Sequence, residues 1–75
     1  MTERDVERDC PTPRFIQTLR RLADALEAGE PFRIQVGQAR FTVPTGARLS
    51  IEHEVGEGMQ ELELQLTWPA DDAQE

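Results

Sequence analysis

The sequence predicts an α+β fold, one N-terminal helix packed on one face of a four-stranded antiparallel meander, and three observations predict it. Apolar residues first recur at helical spacing and then, after a Gly/Pro break, at strand spacing. The last run, Glu61 to Trp68, reads Glu-Leu-Glu-Leu-Gln-Leu-Thr-Trp, an unbroken alternation that sets Leu62, Leu64, Leu66 and Trp68 on one strand face and Glu61, Glu63, Gln65 and Thr67 on the other. At 75 residues and 8.5 kDa there is material for one small domain with one core.

Residues 1–11 carry alternating charges around a single Val6 and are expected to be disordered or loosely attached, a short leading strand over Asp5 to Asp9 being the alternative. The helix is expected to open at Thr12, whose hydroxyl can cap early backbone N–H groups, with Pro13 tolerated in the first turn. Phe15, Ile16, Leu19, Leu22, Ala23 and Leu26 then form one stripe, while Arg14, Gln17, Arg20, Arg21, Asp24 and Glu27 take the wet side. Gly29 suits a left-handed C-terminal position, and Pro31 prevents the helix from resuming.

Beyond Pro31, Phe32, Ile34 and Val36 point one way and Arg33 and Gln35 the other. Gly37-Gln38 fits a two-residue type II′ turn, and Ala39, Phe41 and Val43 resume the apolar face. Residues 44–48 connect to a third strand carrying Leu49, Ile51, His53 and Val55, and 56–59 turn the chain into the fourth, which Pro69 ends. The folded domain is thus expected over residues 12–69, with an acidic disordered tail at 70–75.

These turns fix cross-strand partners. Val36 facing Ala39 places Gln35 against Arg40 and Arg33 against Thr42; Val43 facing Leu49 would place Arg40 against Glu52; Val55 facing Gln60 places Glu52 against Glu63 and Glu54 against Glu61. The expected wet face is therefore a row Gln35, Arg40, Glu52, Glu63 beside a second carboxylate pair. Opposed like charges cost up to about 1 kcal/mol. Three readings compete for this acidic square: a solvated face that discourages sheet stacking, a hard-cation site, and a docking surface for a partner bearing Arg or Lys. A flat sheet face offers few converging ligands, so no metal is expected.

The same residues say little about chemistry. Net charge is −7 and the pI near 4.6, which disfavours nucleic acid and anionic membranes as partners. All eight basic residues are Arg. The one cysteine, Cys10, lacks metal-ligand spacing and a disulfide mate. There is no apolar run of bilayer length and no signal-peptide pattern, so a cytoplasmic location is expected. His53 has the inward parity of Ile51 and Val55 and reads as a partly buried packing residue; Trp68 reads as the seal at one core end, opposite Ala47. No nucleophile, acid/base pair, phosphate loop or CxxC pair is present, so neither an enzyme nor a bound cofactor is expected.

Leu19 to Gly29 (Leu-Arg-Arg-Leu-Ala-Asp-Ala-Leu-Glu-Ala-Gly), the Val43-Pro44 step and the alternating strand ending in Trp68 together resemble the amphi-Trp domain, a family named for an amphipathic strand that finishes in tryptophan. The resemblance covers about residues 13–68. It implies packing positions and no catalytic residue, because the family has no defined activity. Cys10-Pro11-Thr12-Pro13 departs from the acidic lead that members often carry before the helix.

Four strands about 4.7–4.9 Å apart span roughly 15–19 Å, whereas a helix is about 10 Å across. Some apolar residues, Phe32 and Trp68 first, are therefore expected to stay open. The chain is read as a non-enzymatic protein-interaction or homodimerising module, its candidate surface being Phe32, Trp68, His53, Arg40, Glu52, Glu54, Glu61 and Glu63. A small-molecule or peptide binder using the helix–sheet gap near Trp68 is the alternative, and a nucleic-acid-associated regulator a weaker one.

Overall fold

A computed structural model describes residues 9–70; the expectations for residues 1–8 and 71–75 fall outside them. The element order is that of an α+β chain: α1 (Thr12–Ala28), β1 (Phe32–Val36), β2 (Ala39–Val43), β3 (Arg48–Gly56) and β4 (Met59–Thr67), with β1 antiparallel to β2 and β3 antiparallel to β4. The strands form two separate two-stranded sheets, β1-β2 and β3-β4, in place of the expected continuous four-stranded one. The chain correspondingly divides into two compact units that part between Thr45 and Gly46. Pro44 follows the last residue of β2 and has no N–H with which to extend that strand's ladder. The Val43–Leu49 and Arg40–Glu52 pairings are accordingly absent from the ladders.

In the first unit, α1 starts where the sequence places it but is capped differently. Phe15 N–H donates to Pro11 O at 2.9 Å, so Pro11, extended at φ −62° and ψ 148°, is the capping residue and no side chain caps the helix. Thr12 lies inside the first turn, too late for its hydroxyl to serve the free N–H groups ahead of it. Pro13 is harmless there, as expected. At the other end Gly29 is left-handed (φ 69°); its N–H donates to Leu26 O at 3.2 Å and that of Glu30 to Ala25 O at 3.0 Å, the paired bonds of a Schellman ending.

β1 and β2 pair in the expected register, Phe32 with Val43 through Val36 with Ala39, and Gly37 alone takes positive φ (62°) in the turn, as a type II′ turn demands. Phe32 and Val43, directly opposed, are the buried hydrophobic residues among those described. Phe32 is thus core, not an open flank. Arg21 closes over it: the guanidinium carbon stands 5.0 Å from the ring centroid, and Nη2 donates to Arg33 O at 2.6 Å. This guanidinium was expected on the wet side. Beside Arg21 on the helix, Thr18, Leu22 and Ala25 are half-buried. Phe15, Ile16, Leu19 and Leu26 of the apolar stripe remain exposed.

The second unit is one long hairpin. Nine consecutive pairs join β3 to β4, from Arg48–Thr67 to Gly56–Met59. The turn is Glu57-Gly58, with φ 53° and 76°, the two positive values of a type I′ turn. Leu49, Ile51, Val55, Leu62 and Leu64 share the expected face, and all five are exposed.

Candidate functional site

The acidic square forms as the register requires. Glu52 faces Glu63 and Glu54 faces Glu61 on the hairpin's polar side. Carboxylate oxygens of Glu54, Glu61 and Glu63 all lie within 4.8 Å of one another. Such crowding favours the protonated form of one member. Glu61 is that member: its pKa is raised above the ordinary carboxylate value, first by a hydrogen bond shared with Glu63 and then by the charges of Glu54 and Glu63.

Gln65 tempers the repulsion. Its Nε2 donates to Glu63 Oε1 at 2.9 Å and to Glu52 Oε1 at 3.2 Å, and its own Oε1 accepts from Ser50 Oγ at 3.2 Å. The sequence reading left Gln65 out of the candidate surface, although its parity with Glu61 and Glu63 was the available signal. Three carboxylates at this spacing, two exposed and Glu63 half-buried, match the oxygen preference of a hard cation, but a flat ladder presents them from one side only. Register alone explains their proximity.

Arg40 does not join this row. It sits on the other hairpin, where Nη2 donates to Gln35 Oε1 at 3.4 Å across the β1-β2 ladder, and Gln35 Nε2 in turn reaches Gly37 O at 3.0 Å. Without a β2–β3 ladder the basic and acidic halves of the expected row belong to different units. His53 is hydrogen-bonded, as expected, its Nε2 lying 3.0 Å from Gln60 Oε1, but exposed where partial burial was expected. Its ring shares the parity of Ile51 and Val55, which are exposed as well. Trp68 follows the last paired residue of β4 and is half-buried, as is Ala47 just before β3.

The helix–sheet gap is a cleft of about 800 Å³ within the first unit, between α1 and β1. Arg14, Phe15, Thr18, Arg21, Ile34 and Val36 contribute to its walls, and the exposed Cys10 borders it. Phe32, His53 and Trp68, the expected rim, are not among its lining residues.

What these parts define is a small α+β domain with an amphipathic terminal hairpin, carboxylate-rich on one side and apolar on the other. The chain belongs to the Amphi-Trp domain family, whose profile matches residues 2–75. No curated protein and no solved structure matches it.

Proposed function

We propose that this Amphi-Trp domain is a non-enzymatic protein-interaction module that works by associating with another polypeptide, a further copy of itself included. The observation that carries the reading is the open apolar face of the hairpin, where Ile51 is 74%, Leu62 72% and Val55 69% exposed. Monomeric proteins seldom leave so continuous an apolar surface uncovered. A two-stranded hairpin is itself only marginally stable in water and gains from a covering layer. Net charge of −7 opposes nucleic acid and anionic lipid, and no helix among the described residues is long and apolar enough to cross a membrane. A single exposed thiol, Cys10, suits a reducing, cytoplasmic setting. Light scattering from micromolar to millimolar concentration tests self-association: a mass above 8.5 kDa that grows with concentration is expected, and a monomer throughout would remove the self-associating form of the reading.

A second reading rests on the cleft of about 800 Å³ between α1 and β1, large enough for a small molecule or peptide side chain. Its mixed wall of Arg14 and Arg21 with Phe15 and Ile34 suits an amphipathic anion. Chemical-shift changes confined to Thr18, Ile34 and Val36 on titration with acidic peptides would favour it.

A further inference from the structure

We infer that the cleft between α1 and β1 binds an extended acidic peptide, which adds to the outer edge of β1 as a further strand. The inference rests on the reading of that cleft as a binding site and specifies its ligand. Register defines the edge. A two-residue hairpin loop is flanked by a pair that exchanges hydrogen bonds, and bonded and non-bonded pairs alternate from there. Val36–Ala39, Ile34–Phe41 and Phe32–Val43 are therefore the bonded pairs, and Arg33 and Gln35 turn their N–H and C=O groups away from β2. The bond from Arg21 Nη2 to Arg33 O at 2.6 Å shows that this outward edge lies beside α1.

The cleft runs along that edge. Its strand wall is Ile34, Gln35, Val36 and Gly37 in unbroken succession, whereas a cleft over one sheet face would take every second residue. No described residue hydrogen-bonds to the main-chain N–H or C=O of Gln35, so both groups are open to the main chain of a ligand. Arg33 O, already held by Arg21, ends the available ladder and limits the added strand to a short one. The opposite wall selects charge. α1 contributes Arg14 and Arg21, with Phe15 and Leu19 between them in the sequence. Its first turn has no acidic residue and no side-chain cap, so the positive end of the helix adds to the field of Arg14. Asp9 is the one carboxylate among the described lining residues. A peptide carrying both carboxylates and aliphatic side chains satisfies both kinds of wall.

The deciding experiment is NMR amide exchange and chemical shift on the isotope-labelled full-length chain at low salt. The probes are an end-blocked hexapeptide of alternating Glu and Val, its Lys and Val counterpart, and octanoate. At saturation the Glu peptide should slow exchange of the Gln35 amide about tenfold, with cross-strand NOEs from its backbone to Gln35, and the Lys peptide should leave exchange unchanged. Arg14→Glu, at an exposed position, should weaken binding of the Glu peptide about tenfold. A Gln35 amide already protected in the free protein, or one whose exchange the Glu peptide does not alter, would overturn strand addition. If octanoate then still shifts Thr18, Ile34 and Val36, the cleft reading stands without it; no response to any probe would remove both. Equal effects of the Glu and Lys peptides would overturn the acidic preference. Should Arg14→Glu fail to fold, exchange in the unaltered chain still decides.

Discussion

The two hairpins of this chain differ in length and in what they bury, and the order is the reverse of what length suggests. β1-β2 has five pairs and β3-β4 nine, yet Phe32 and Val43 of the shorter one are buried and no residue of the longer one is. A ladder specifies which side chains share a face, whereas burial needs a second layer. The shorter hairpin has part of one, because Arg21 and the Leu22 side of α1 lie against β1. The longer hairpin is a finished ladder and half a core.

The strongest way to break this contrast is to remove the ring beneath Arg21. Phe32→Ala should cost about 3–4 kcal/mol in urea unfolding, in the range of buried aromatic truncations, whereas Leu62→Ala in a dilute monomeric sample should cost less than about 1 kcal/mol. Equal costs would mean that the two faces are equally covered. Arg21→Ala comes next, at about 1 kcal/mol, from the loss of a cation over Phe32 and of the bond to Arg33 O. Arg21→Lys should restore part of the ring contact only, since an ammonium lacks the flat guanidinium that serves both partners.

Smaller effects sharpen the hairpin side. Glu57 holds φ 53°, a conformation that costs a residue with a Cβ, and Glu57→Gly should raise the thermal midpoint slightly with an unchanged ladder in cross-strand NOEs. The smallest expected effect concerns Glu61. Its folded pKa is raised, so the stability tied to its protonation is fully present below the ordinary carboxylate value and is lost as pH rises through the raised one. The hairpin should therefore loosen slightly over that interval. Glu61→Gln should flatten the dependence and stabilise the ribbon modestly at neutral pH, as read by amide exchange along β4.

Local features of the fold were legible and non-local ones were not. Turn residues bring strands together over a few positions, so Gly37-Gln38 and residues 56–59 fixed both registers, and with them the facing of Glu52 with Glu63 and Glu54 with Glu61. Gly29 and Pro31 placed the helix end for the same reason. Joining β2 to β3 is another matter, because alternation looks the same whether or not a strand has a neighbour. The helix stripe misled in a related way: periodicity locates apolar residues on a face but cannot say which face meets β1, and a long cationic side chain such as Arg21 can lie along a ring as readily as point into water. For the candidate surface, parity put His53 on the correct side without revealing that this side is open.

Among the described residues, two ribbons in place of one wide sheet leave additional strand edges outside either ladder. Such edges are templates for cross-β stacking, and in a concentrated solution only mutual electrostatic repulsion holds them apart. Near the isoelectric point, about pH 4.6, that barrier vanishes. Mild acid should therefore relax the individual ribbon while inviting thioflavin-positive fibrils, and the same carboxylates that strain one molecule are what keep a population of them in solution.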